Sequence, residues 1–119
     1  MNNLNSVLLE GNLVKDPELS GTSSGTTVCK FTIASNRYYK VNNEYQQDVS
    51  YFNIVAWNKL AQTCLEYLTK GRGIRVIGRL KHENWKSDDG KSNSRIIVVA
   101  DHIEFRPQYN RSEDKKKEA

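Results

Sequence analysis

The chain has 119 residues and a mass of 13.7 kDa, with 37% hydrophobic, 27% charged and 9% aromatic residues. That length suits one domain with a core of its own, and seven glycines with two prolines exclude collagen-like or low-complexity architecture. Eighteen Lys plus Arg against fourteen Asp plus Glu give a net charge of +4, a modest surplus whose placement decides its meaning.

The first apolar run, Val7-Leu8-Leu9 to Leu13-Val14, contains Gly11 and reads as a strand with a bend or bulge. A polar stretch follows, from Lys15-Asp16-Pro17 through Gly21-Thr22-Ser23-Ser24-Gly25. Val28 to Arg37 alternates, with Cys29, Phe31 and Ile33 on one face and Lys30, Thr32 and Asn36 on the other. Val49 to Trp57, rich in β-branched and aromatic residues, is another strand. The period then changes. Leu60, Ala61, Cys64, Leu65 and Leu68 recur at helical spacing, after Asn58 as a candidate N-cap and before Gly71 as a candidate C-cap glycine. Gly73 to Trp85 returns to strand character, Asp88-Asp89-Gly90 supplies a hairpin turn, and Arg95 to Phe105 forms the last strand.

Three strands, one helix and two further strands fit a mainly all-β fold, a small five-stranded Greek-key barrel rather than a sandwich. The helix falls between strands three and four, and a long β-hairpin lies near 80–95. Residues 1–106 form the predicted domain. Residues 107–119 are polar, include Lys115-Lys116-Lys117, and are expected to be a short disordered tail. No run approaches the ~18 apolar residues of a membrane span, and the N-terminus lacks a signal-peptide pattern, so a cytoplasmic protein is expected. Cys29 and Cys64 form no CxxC pair and are expected to be free thiols, although the fold could bring them together.

Charge is concentrated in one segment. Within residues 70–86, Lys70, Arg72, Arg75, Arg79, Lys81 and Lys86 face only Glu83, a net +5 against +3 for residues 1–106 together. Strand parity puts Ile74, Val76, Gly78 and Leu80 on the inner side, and Arg75, Arg79, Lys81 and Trp85 on the outer. The same parity groups Tyr51, Asn53, Val55 and Trp57, while Tyr38 and Tyr39 lie beside Arg37 and Lys40. Rings in strands ordinarily pack, and charged faces are ordinarily just solvated. Together on one barrel, however, they suit single-stranded nucleic acid, because cations track phosphates and rings stack on unpaired bases.

Catalytic motifs are poor. Gly21-Thr22-Ser23-Ser24-Gly25 matches a GxSxG elbow but lacks the preceding strand, the following helix and the chain length of a hydrolase. Gly90-Lys91-Ser92 has no partner glycine upstream for a phosphate loop, and the two histidines and two cysteines have no paired metal-ligand spacing. No enzyme, metal or cofactor is expected.

Several segments in register resemble the bacterial-type single-stranded DNA-binding proteins, which have the oligonucleotide/oligosaccharide-binding (OB) fold. They are Asn5-Ser6-Val7-Leu8-Leu9-Glu10-Gly11-Asn12-Leu13, Lys15-Asp16-Pro17-Glu18-Leu19, Phe31-Thr32-Ile33-Ala34, Val55-Ala56-Trp57-Asn58-Lys59-Leu60-Ala61, Tyr67-Leu68-Thr69-Lys70-Gly71 and Ile77-Gly78-Arg79-Leu80. The resemblance covers residues 5–105. It implies sequence-tolerant binding of single-stranded DNA during replication, recombination and repair, by a homotetramer with a dimer as the alternative. It also implies stacking by Tyr39, Tyr51, Trp57 and Trp85, with Tyr38 able to replace Tyr39. Candidate phosphate ligands are Lys59, Arg72, Arg75, Arg79, Lys81 and Lys86. The sequence departs from the family after residue 106, where no long linker or acidic tip follows, so recruitment of partners by that route is not expected. A protein-interaction module and an RNA-binding domain are the competing readings.

Overall fold

The computed structural model describes residues 1–20 and 25–107. Six strands and one helix occur among them: β1 (Val7–Leu13), β2 (Glu18–Leu19), β3 (Val28–Val41), β4 (Glu44–Trp57), α1 (Asn58–Tyr67), β5 (Gly73–Lys86) and β6 (Ser92–Phe105). Hydrogen-bonded neighbours run β1-β5-β6-β4-β3, and β1 returns to β3 through Asn12↔Ala34 and Leu13↔Ile33. The five long strands therefore close into a barrel, with the two-residue β2 added beside β3. This is the five-stranded barrel expected from the strand and helix order, in the OB architecture that the family resemblance implies. The β4–β6 contact, at Ile54↔Val98 and Val55↔Val99, is parallel, and the other pairings are antiparallel.

Closure depends on close backbone approach. A Cβ on Gly11 would lie 2.5 Å from the Ala34 carbonyl oxygen, at the point where β1 passes from β5 to β3. Gly78 is tighter still, with the Val99 oxygen 2.2 Å from where its Cβ would be. Beside it the β5–β6 register jumps from Ile77↔His102 to Gly78↔Ala100, leaving Asp101 as the extra residue of a bulge.

Period-two alternation fills the interior. Phe31 and Ile33, Ile54 and Ala56, Ile74 and Val76, and Val98 and Ala100 point inward, and Ala61, Cys64 and Leu68 cover one side of this core. Both cysteines are free and buried. Desolvation pushes the Cys29 thiol up to about 11, and burial with the neighbouring Cys29 pushes Cys64 up to about 12.

Four expectations need correction. Asn58 does not cap α1 through its side chain; it is the first helical residue, in a left-handed conformation (φ 58), and Trp57 holds the cap position. Gly71 is not the cap glycine, because the helix ends at Leu68 in extended conformation; Gly71 instead turns the chain at φ 89 and donates its N–H to Leu13 O. Leu80 is 44% exposed, because beyond Gly78 β5 runs out along the rim of the barrel, and its side chain meets solvent although Val98 opposite it on β6 is buried. Strands β3 and β4 run on to a second hairpin, turning at Asn42-Asn43 with φ of 51 and 66, the two-residue type I′ geometry. The expected tail lies, from residue 108 on, outside the described residues, as do positions 21–24 of the glycine-containing loop. No described helix is long and apolar enough to cross a membrane.

Candidate nucleic-acid interface

Residues directly opposite in an antiparallel pair share a face. The register Val28↔Trp57, Lys30↔Val55, Thr32↔Asn53 and Ala34↔Tyr51 therefore places Trp57 and Tyr51 on one outer face of β3–β4. Val55 neighbours Val99 on β6, and Arg79↔Val99, Lys81↔Ile97, Glu83↔Arg95 and Trp85↔Asn93 extend the same face across β5. The structure thus brings Tyr51, Trp57, Arg79, Lys81 and Trp85 onto one side of the barrel.

The floor of that face is a second apolar cluster, Val55, Ile97 and Val99, with Val28 against it. These side chains point away from the barrel interior and are still buried, at 3–5% exposure. Their cover is polar and aromatic: Lys30, Trp57, Lys81 and Glu83 line a 230 Å³ hollow over them. An adjoining hollow of 450 Å³ lies between Trp57, Leu60, Arg79, Lys81 and Asp101. A groove with an apolar floor, a ring and cationic rims can stack bases on the ring while phosphates stay at the rim.

The cations fall into two groups. Arg79 is held by Asp101 at 2.6 Å, and Arg95 by Glu83 at 3.0 Å. Among the described residues, Lys30 and Lys81 have no carboxylate partner. Lys59 is exposed in the first turn of α1, and Lys86 ends β5 on the parity opposite to Trp85. Two candidates lie elsewhere. Arg75 bridges Glu10 (3.0 Å) and Glu104 (3.5 Å) on the β1–β5–β6 face. Arg72 donates to Arg106 O at 3.2 Å and lies over the Phe105 ring.

The rings differ in setting. Trp57 and Trp85 are each 45% exposed, and Tyr51 is 66% exposed. The Arg95 guanidinium sits 5.4 Å from the Trp85 ring centre, occupying one side of the indole. Tyr38, opposite Gln47, shares the Tyr51 face of the β3–β4 ribbon, whereas Tyr39, opposite Gln46, lies on the reverse face with Arg37 5.0 Å over its ring. Sequence reasoning did not single out Lys30, Arg95 or Tyr45 for the site. Lys30 was visible as the solvent-face partner of an alternating strand. Arg95 and Tyr45 needed the hairpin registers, which set Arg95 opposite Glu83 and Tyr45 opposite Lys40.

Known proteins share this arrangement of strands. The barrel superposes on a solved structure described as a Plasmodium falciparum SSB complex with ssDNA, with a TM-score of 0.82 over 90% of this chain and 98% of that one, at 21% identity. A protein of Chlorobaculum tepidum named single-stranded DNA-binding protein 2 is 43% identical over 107 residues, 88% of this chain and 72% of its own length. The single-stranded DNA-binding protein of Borreliella burgdorferi is 38% identical over 106 residues, 88% of this chain and 71% of its own. Residues 4–106 match the model of the single-strand binding protein family, and the chain belongs to that family.

Proposed function

We propose that this protein binds single-stranded DNA with little sequence preference and shields it during replication, recombination and repair, acting by binding and not by catalysis. The observation that carries the reading is the outer groove, where a buried apolar floor of Val55, Ile97 and Val99 is rimmed by Trp57, Lys30 and Lys81. Membership of the family and the names of the relatives support it. Trp57 and Trp85 stack on bases, Tyr51 extends the stack along β4, and Lys81, Lys30 and Arg79 hold phosphates. Tyr39 meets a strand that wraps around the ribbon rather than crossing one face. Lys59 and Lys86 extend the track at its ends, while Arg72 and Arg75 serve the barrel through their bonds to Arg106 and to Glu10 and Glu104.

We also propose that the protein acts as a homotetramer in the cytoplasm, where unwound chromosomal DNA is found. The support is an open edge. β1 pairs with β5 along Val7–Asn12 but with β3 only at Asn12 and Leu13, and Leu8 on that edge is exposed. An unpaired strand edge beside an exposed leucine is suited to pairing with another copy.

The test is a tryptophan-fluorescence titration with oligo(dT), matched duplex DNA and matched RNA at two salt concentrations. Tight quenching by the single-stranded DNA, weakening with salt, is expected. Equal quenching by RNA would replace DNA with single-stranded nucleic acid in general. Weak binding to all three would turn the groove over to protein contacts.

A further inference from the structure

One carboxylate stands in the groove where a polyanion is expected to lie. Glu83 lines the hollow it shares with Trp57, Lys30 and Lys81, and its side chain is 31% exposed. Repulsion from phosphates counts against a carboxylate there, so what Glu83 holds decides its role. It accepts a hydrogen bond from Arg95 Nε at 3.0 Å, across a directly opposed pair of the β5–β6 ribbon. The same guanidinium sits 5.4 Å from the centre of the Trp85 ring. Trp85 is two residues along β5 from Glu83 and therefore diagonal to Arg95 on the same face. Carboxylate, guanidinium and indole form one connected row.

The row has a mechanical consequence. An indole that is 45% exposed can turn about its side-chain torsions, and a base that stacks on it must first stop that motion. Arg95, fixed at Nε by Glu83, restricts the ring before DNA arrives. Its planar group covers one face of the indole and leaves the opposite face for a base. A lysine at position 95 would have a single ammonium to divide between the carboxylate and the ring, whereas a guanidinium bonds by its edge and stacks by its plane. Phosphate contact falls to Lys30 and Lys81, which have no carboxylate partner among the described residues.

Resting on the DNA-binding reading above, we infer that Arg95 is a positioning residue: held by Glu83, it fixes the Trp85 ring in the free protein so that the indole meets a base with one prepared face. Arg95 stays on the ring when DNA binds and takes no phosphate. Glu83 serves binding through Arg95, in spite of its own charge.

The experiment uses the full chain with Trp57→Phe throughout, which leaves Trp85 as the one tryptophan. Arg95→Lys keeps the charge and loses the planar group. The double variant Glu83→Gln with Arg95→Gln removes the pair without changing net charge or stranding a carboxylate. Quenching of Trp85 by acrylamide is measured in the free proteins, and affinity for oligo(dT) at four salt concentrations. Acrylamide quenching is expected to rise in both variants, because the covered face is opened. Affinity is expected to fall about threefold to tenfold in both, the cost of ordering one side chain, with the slope of log K against log salt unchanged. A slope flattened by about 0.7 in the double variant, with Arg95→Lys binding like its parent, would make Arg95 a phosphate ligand and overturn the inference. Acrylamide quenching equal to the parent in both variants overturns it as well. Absence of binding by the parent overturns the DNA-binding reading instead, and the acrylamide result, obtained without DNA, tells the two failures apart.

Discussion

Arg79 Nη1 donates to Asp101 Oδ1 at 2.6 Å, so one guanidinium at the rim of the groove is already held by a carboxylate in the free protein. Asp101 reaches it because it is the extra residue of the β6 bulge, between Ala100 opposite Gly78 and His102 opposite Ile77. Both side chains are about half exposed, so the pair contributes little to stability, about 1 kcal/mol at most. Its effect is on binding, since a phosphate must compete with Asp101 for Arg79. Asp101→Asn is expected to raise affinity for oligo(dT) several-fold at low salt. It should also steepen the slope of log K against log salt by about 0.7, the value for one single-strand phosphate contact. Titration at four salt concentrations checks both numbers, and an unchanged slope would remove Arg79 from the phosphate track.

The unpaired lysines should behave in the opposite sense. Lys30→Ala and Lys81→Ala each delete a rim cation without stranding a carboxylate, and each is expected to flatten the salt slope by about 0.7. Arg75→Ala, which breaks the bridges to Glu10 and Glu104 on another face, is expected to leave the slope unchanged. The same titrations separate the two classes. If Arg75→Ala flattened the slope as much as Lys81→Ala, the strand would have to cross the β1–β5–β6 face as well.

These electrostatic pairings also mark the limit of what was legible in the sequence. The inward rows of β3 and β4, Phe31 with Ile33 and Ile54 with Ala56, could be read directly, because burial on one side imposes the alternation. The helix could be read from Ala61, Cys64 and Leu68 for the same reason. Where the ribbons leave the barrel that constraint lapses. Leu80 keeps the inner parity but is 44% exposed at the barrel rim, and the strands running to Asn42-Asn43 carried no periodic signal. In the site, Trp57, Trp85 and Lys81 could be found from parity. Their grouping with Lys30 depends on the β4–β6 contact, and the hold of Asp101 on Arg79 depends on a one-residue register jump 22 positions away.

The bulge itself makes a stability prediction. A methyl group on Gly78 would sit 2.2 Å from the Val99 carbonyl oxygen and 3.1 Å from its carbon, and both are backbone atoms of a paired strand that cannot rotate away. Gly78→Ala is therefore expected to lower stability by about 1–3 kcal/mol, the range for forced overpacking. Gly90→Ala, whose Cβ meets nothing within 4 Å, carries only the strain of its positive φ of 83. Urea denaturation followed by tryptophan emission ranks the two. A Gly78→Ala protein as stable as wild type would mean that β5 and β6 can separate there without loss.

The buried thiols give a pH dependence with a definite sign. Burial raises Cys29 to about 11 and Cys64 to about 12, from an ordinary value of 9.0, so the folded state favours the protonated forms. Above pH 9 the unfolded chain releases thiol protons that the folded chain retains, and unfolding becomes easier as pH rises. The stability is fully present below pH 9 and is lost on the way up to about 11 and then about 12. Between pH 9 and 11 both thiols are expected to lower stability steadily as pH rises. Replacing both cysteines by alanine should flatten the alkaline limb of the stability curve, although the lost packing lowers it at every pH. At pH 8 a thiol-reactive chromophore should label neither cysteine in the native protein and both in urea. Rapid labelling of Cys64 without denaturant would show that α1 opens away from the barrel on the timescale of the reaction, and the alkaline prediction would fail with it.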